Sequence, residues 1–499
     1  MGFTGILDLK QSPFKERGRP DFYLDLNLNQ IIERICQEWG PEVASYYYYF
    51  PADKECETYR RDILADIKDA QLYEPLKLVT EMMQSYKEAG IKKEKISIKL
   101  QKAVWYIYQV GYYCDCCRKL YEILEQASLA SEGLQALRTY LRNYLEQDVY
   151  RAAENHMNTL RDRLKDIHLT LYYENSRVII SQQQCEGSYD SFLRQCFPGH
   201  DSVLRNPLAL EQEFTALEQE LLKVFNKMNP DIFADIMKFY KESKEYDDKR
   251  LVQSIAELRF YLSFLQFEQK MERTGFAFAV PTVEEEQEFT ANGLYDLALA
   301  CVNLGRDKEV VSNDLVYHDK ERFFVVTGPN QGGKTTFARS LGQLVYFCKM
   351  GLDVPAVSAN VHYYKDILTH FSVEESVESG RGKLKEELRR LAPMMSRECS
   401  GSFIIINELF TTAANYDACI MGKRVLEHFI KDDCHGIYVT HLKELSEGNS
   451  QVVSMRAMLD ENQLQNFKIV RSVADDTACA VNQVNKYRLT YEQLKERLV

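Results

Sequence analysis

The segment Gly328-Pro329-Asn330-Gln331-Gly332-Gly333-Lys334-Thr335 fits G-x4-G-K-[ST], the pattern of a phosphate-cradling loop. In such a loop, successive backbone N–H groups and the amino end of the next helix hold phosphate oxygens. Lys334 would reach the β- and γ-phosphates of ATP, and the Thr335 hydroxyl would ligate Mg2+. An apolar run, Phe323 to Val326, precedes the loop, and a helical pattern from Thr336 to Phe347 follows it. Strand, loop and helix therefore stand in the order the chemistry needs.

A second run, Phe403 to Ile406, ends in Asn407-Glu408. A strand in this position normally ends in Asp-Glu, the Asp supporting the magnesium and the Glu orienting the attacking water. Asn407 can accept a hydrogen bond from a metal-bound water but brings no negative charge, so weaker metal affinity and slow hydrolysis are expected. Glu408 retains the catalytic acid. A third run, Gly436 to Val439, ends in Thr440-His441. The carboxyl end of a parallel strand faces the ligand side of its sheet, so His441 is placed to sense the γ-phosphate.

Continuous apolar runs of this length, alternating with helices, are strands buried on both faces of a mostly parallel sheet. They occupy residues 286–499. From about Leu26 to Glu285 the pattern is helical, with residues 1–25 as an amino-terminal tail. Leu210, Phe214, Leu217, Leu221, Val224 and Met228 form one helical stripe. Asn229 is expected to cap the next helix, with Pro230 at its first position. Leu251, Ile255, Leu258, Leu262 and Leu265 mark a further long helix, while Gly90 and Gly133 read as breaks. The stretch Ile167 to Ser181 is β-branched and aromatic, with a turn at Glu174-Asn175-Ser176, and reads as a β-hairpin. It either packs on the bundle or forms a tip that meets a ligand, with Arg161, Arg163, Lys165 and Arg177 alongside. The fold expected is thus an all-α lever domain with a small hairpin, followed by an α/β P-loop ATPase domain.

A chain of 499 residues exceeds one core. It has no apolar run long enough to span a membrane, and its start lacks the pattern of a signal peptide. The 13 scattered cysteines read as reduced thiols, so a cytoplasmic location is expected. Cys114, Cys116 and Cys117 lack a second ligand pair at zinc spacing and sit in a helix-like aromatic stretch. The net charge of −12 argues against a surface coated in nucleic-acid-binding residues but not against a local basic patch.

Thr327 to Thr336 resembles the TGPNxGGK[ST]T loop of MutS proteins, which the Pro329-Asn330 pair makes more specific than a generic P-loop. Asn313-Asp314 resembles the family's Asn-Asp element, and Thr440-His441-Leu-Lys-Glu-Leu445 its Thr-His-x-x-Glu-Leu element. Tyr416-Asp417 resembles its Tyr-Asp pair, and Lys486 to Gln493 its closing segment. Glu378-Ser379-Gly380-Arg381 is similar to its signature segment, which the resemblance implies would reach the partner subunit's nucleotide. The family carries Asp where Asn407 stands, and Gly-Arg-Gly-Thr-Ser where Phe410 to Ala414 stand. The resemblance implies a homodimeric, ATP-gated DNA clamp in mismatch repair or in processing non-mismatch structures. The stretch before the ATPase part leaves no room for the family's mismatch-reading and connector domains. Phe14-Lys15-Glu16 mimics their Phe-x-Glu wedge but lies in a Pro/Arg/Gly-rich tail, where it reads as coincidence. The rival expectation is an ATP-driven scaffold that binds a protein and no DNA.

Overall fold

A computed structural model describes residues 3–10, 18–167, 169–174, 177–182, 216–243, 246–304, 309–372, 383–447, 449–460, 465–472 and 495. The chain forms two compact units, Met1–Phe14 with Ala65–Arg259, and Lys15–Leu64 with Phe260–Val499. Residues Leu26 to Leu64, whose periodicity groups them with the helical part, pack with the second unit.

The first unit is helical. Its long members are Ala70–Lys95 and Lys99–Gln126, of 26 and 28 residues. Asp69 caps the former through Gln71 N, and Ser131 caps Glu132–Leu145 through Leu134 N. Gly90 does not break its helix. A Cβ there would come within 2.8 Å of Gln109 Nε2, so glycine instead lets the two long helices approach. Gly133 lies just inside the start of its helix. Asn229 occupies the cap position before Pro230–Glu242 without capping it, because its Nδ2 donates back to Phe225 O. The tyrosines of the core are hydrogen-bonded to one another, Tyr113 OH donating to Tyr144 OH and Tyr144 OH to Tyr246 O. Cys114, Cys116 and Cys117 are buried, and burial pushes the Cys114 and Cys116 thiols up to about 12.

Strands β1 (Leu169–Glu174) and β2 (Arg177–Gln182) pair antiparallel from Leu169↔Gln182 to Glu174↔Arg177, which is the expected hairpin. Helix Asp148–Lys165 leads into it. The stripe residues Leu210 and Phe214 lie outside the described residues; Leu221, Val224 and Met228 fall on helix Ala216–Met228.

The second unit holds two sheets. Strands β3 (Phe289–Leu294), β4 (Asn313–Tyr317) and β6 (Ser358–Asn360) make a small antiparallel sheet in the order β4-β3-β6. The larger sheet contains β5 (Phe323–Thr327), β7 (Ile367–Phe371), β8 (Phe403–Asn407), β9 (His435–Val439), β10 (Val452–Leu459) and β11 (Gln465–Arg471). Its order is β11-β10-β5-β9-β8-β7, with only the β10–β11 pair antiparallel. Every residue of β5 and β8 is buried, and each large apolar side chain so buried contributes about 1.5–3 kcal/mol. That is why these strands read as unbroken apolar runs.

The loop after β5 opens helix Lys334–Lys349, which lies under the sheet and is buried along most of its length. Leu26 packs against this helix at Gly342, where a Cβ would fall 2.6 Å from Leu26 Cδ2. Arg339 Nε donates to Asp25 O and Gln343 Nε2 to Leu26 O. Tyr346 OH donates to Tyr47 O at 2.7 Å and bonds Tyr23 OH at 2.6 Å. The early segment thus braces the helix that carries the phosphate loop.

Candidate nucleotide site

Three backbone features shape the loop. Gly328 has φ +131°, Gln331 φ +62° and Gly333 φ +87°. A Cβ on Gly328 would lie 2.8 Å from Ala457 Cβ, and one on Gly332 2.9 Å from Pro329 O. Only glycine fits, and the concavity that results is a cradle of backbone N–H groups. Gln465 Nε2 donates to Asn330 O, tying β11 to the loop.

Lys334 is buried, and its Nζ donates to Gly328 O and Pro329 O at 2.9 Å each. The Thr335 hydroxyl donates to Asn407 Oδ1 at 2.9 Å, so the two candidate Mg2+ oxygens meet across the ends of β5 and β8. Glu408 follows at φ +54°, a left-handed conformation costing about 1–3 kcal/mol that clusters at functional sites. Its N–H donates to Val439 O, and its Oε1 lies 3.3 Å from His441 Nε2. Phe410 has φ +63°, and its N–H donates to the buried Glu387 Oε2 at 3.2 Å. Glu387 belongs to helix Lys383–Ser396, and its carbonyl accepts from His370 Nε2.

Gln331, Gly332, Gly333, Lys334, Thr335, Thr336 and Glu408 line a cavity of about 660 Å3. Leu299, Val302, Val311, Asn313 and Phe467 also line it, Phe467 lying beside Gly333. The lining joins the phosphate loop to apolar side chains and one aromatic ring, which fits a nucleoside triphosphate. The oxygens of Thr335 and Asn407 are hard donors that suit Mg2+, whose chemistry would be to neutralise phosphate charge. Asn313 does more than line this cavity: its Oδ1 accepts from Ile469 N at 2.8 Å, fixing β4 against β11. Asp314 accepts from Gly293 N at 2.6 Å.

The composition gave no signal for Phe467. It sits in a polar run, and a positive φ of 59° beside a register shift in the β10–β11 pair turns its ring to the cavity. Tyr416 stands 76% exposed at the start of helix Asn415–Lys431. Ser379 and Gly380, the closing segment and Phe14-Lys15-Glu16 lie outside the described residues. Of the hairpin's basic neighbours, Arg161 pairs with Asp115 at 3.3 Å, Arg163 with Asp235, and Lys165 with Asp162 at 3.0 Å. Exposed pairs like these are worth about 0–1 kcal/mol, so phosphate can displace the acids.

The Thr335–Asn407 bond sharpens one expectation. In Asn407→Asp the acceptor is kept and a charge is added beside the metal position. Nucleotide binding should then reach half-saturation at about tenfold lower Mg2+, equivalent to about 1.4 kcal/mol. Equal or weaker Mg2+ dependence in an equilibrium titration would show that the site is built around the amide.

A model of MutS domain V matches residues 324–485. The DNA mismatch repair protein MutS of Fervidobacterium nodosum is 25% identical over 275 residues, covering 53% of this chain and 32% of that protein. That of Thermotoga maritima is 28% identical over 171 residues, or 33% of this chain and 22% of its own. The Chlamydia trachomatis MutS is 24% identical over 262 residues, 50% and 31% respectively. The chain therefore matches about a third or less of the length of these curated relatives. No helix among the described residues is long and apolar enough to cross a membrane.

Proposed function

The chain belongs to the MutS family, and from that premise we propose that it is an ATP-binding, slowly hydrolysing switch that acts on DNA as a homodimer. One observation carries the reading. The phosphate loop, Thr335 and Glu408 line a single nucleotide-sized cavity, with Asn407 bonded to Thr335 and His441 beside Glu408. Lys334 and the loop amides bind phosphate, Thr335 and Asn407 hold Mg2+, and Glu408 takes a proton from water while His441 orients its carboxylate. The segment around Ser379 and Gly380 completes the partner's site. ATP binding favours one global state of the dimer over another by differential affinity.

The hairpin β1–β2 is the part that grips DNA, its flanking cations meeting phosphates that fix position without reading sequence. The relatives are named for mismatch repair, and this chain acts in that process or on other DNA structures such as junctions. A protein scaffold without DNA is the second reading, favoured by the net charge of −12 and by the acids already paired with Arg161, Arg163 and Lys165.

Salt dependence separates them. Changing Arg161, Arg163, Lys165 and Arg177 together to Ala should weaken binding to homoduplex, mismatch and junction alike. The slope of log affinity against log salt should become shallower by about 0.9 for each phosphate that the variant no longer neutralises. Parent protein that binds no DNA at low salt, or a quadruple variant that binds as the parent does, would leave the scaffold reading in its place.

A further inference from the structure

Away from the nucleotide end, at the opposite ends of the parallel strands, three metal-ligating side chains converge, with a second thiol beside one of them. Helix Asn415–Lys431 ends in a turn in which Cys434 N donates to Phe429 O and Asp433 N to Ile430 O. This paired pattern reverses the chain and normally calls for glycine at the left-handed position. Asp433 occupies it at φ +52°, and its Oδ1 accepts from Arg322 Nε at 3.1 Å. The reversal brings His428 and Asp432 together, with Cys434 at its end. Cys399 enters from the turn before β8, where Ser402 N donates to Cys399 O.

The separations among three of the donors approach those of a metal site, and the Cys434 thiol, which donates to Cys399 O at 3.0 Å, stands beside them. Zinc bonds of about 2.0–2.3 Å to sulfur, nitrogen and oxygen in a tetrahedron space the donors about 3.4–3.8 Å apart. Here Cys399 Sγ lies 3.6 Å from Cys434 Sγ and 3.5 Å from Asp432 Oδ2, and His428 Nε2 lies 3.9 Å from Asp432 Oδ2. The donors of Cys399, His428 and Asp432 all fall within 4.8 Å of one another. His428 Nε2 is buried from solvent and makes no hydrogen bond. A buried imidazole nitrogen without a hydrogen bond, its nearest carboxylate oxygen 3.9 Å away, is placed as a ligand atom would be.

We propose that Cys399, His428 and Asp432 form a structural Zn2+ site in the ATPase unit, which Cys434 completes by turning its thiol from Cys399 O to the ion. Binding one Zn2+ releases one proton from each thiol to solvent and forms two Zn–S, one Zn–N and one Zn–O bond, which closes the coordination sphere. The ion fastens the turn that opens β8 to the helix end that opens β9. It braces from behind the two strands whose far ends carry Asn407, Glu408 and His441.

Co2+ serves as the probe, added to reduced, metal-stripped full-length protein. One equivalent should give the visible bands of tetrahedral cobalt and a near-ultraviolet sulfur-to-metal charge-transfer band, and Zn2+ should displace both. Cys399→Ser and Cys434→Ser should each lose about half of the charge-transfer intensity. His428→Gln, at the half-exposed helix end where folding is least at risk, should keep that band and bind Co2+ at least tenfold more weakly. Cys301→Ser, a buried cysteine elsewhere in the same unit, should match the parent. Absence of a charge-transfer band at saturating Co2+, or a band unchanged in both cysteine variants, overturns the proposal. So does His428→Gln with the parent's affinity.

Discussion

Glu408→Gln protein should bind ATP as tightly as the parent and hydrolyse it about 10²- to 10⁴-fold more slowly, the loss typical when a positioned proton acceptor is removed. The substitution is nearly isosteric, so the turn at φ +54° and the N–H bond to Val439 O should survive. An amide oxygen can still meet His441 Nε2, now 3.3 Å from the carboxylate. It cannot take a proton from water. Binding and chemistry therefore part company, and a single-turnover assay at saturating ATP reads the chemistry alone. Turnover at the parent's rate would move the catalytic role to another group.

Lys334→Ala acts one step earlier. Truncating one partner of a buried, hydrogen-bonded charge pair costs about 2–5 kcal/mol, so ATP affinity should fall about 30- to several-thousand-fold. The ammonium is not held in reserve for phosphate alone, since it already bridges the carbonyls of Gly328 and Pro329. Each such bond is worth about 0.5–1.5 kcal/mol net, and the variant should accordingly melt slightly earlier while remaining folded. Equilibrium nucleotide binding beside a thermal melt separates the two effects. Affinity like the parent's, in a folded variant, would remove Lys334 from the site.

What could be read in the sequence follows from how local each signal is. Strands β5, β8 and β9 are buried on both faces, so their composition alone announces them. β7 and β10 carry polar residues among apolar ones, such as Thr369 and His370, and Ser454 and Arg456, and present no such run. The loop from Gly328 to Thr335 is contiguous and legible as a unit. Its tie to Asn407 follows from the order of β5 and β8 in the sheet, which no single segment encodes. Phe467 reaches the cavity only through a local backbone irregularity. Gly90 shows the reverse failure: glycine marks either a break or a close approach, and only the neighbouring helix decides which. The segment Leu26 to Leu64 has helical periodicity, yet periodicity cannot say which core a helix joins. Asp25, Leu26 and Tyr47 meet the helix behind the phosphate loop through hydrogen bonds to residues hundreds of positions away in sequence.

The bond from Phe410 N to Glu387 Oε2 leaves almost no slack between helix Lys383–Ser396 and the turn just beyond Glu408. Stretched by a few tenths of an ångström, such a bond weakens, and by about half an ångström it is gone. A rotation of the helix must either snap it or drag the Phe410 peptide along. Glu408 and Phe410 both already stand in the left-handed region, so they are the joints that would yield. With Glu408 in the role proposed for it, the position of this one helix would meter water activation, as an escapement meters a clock.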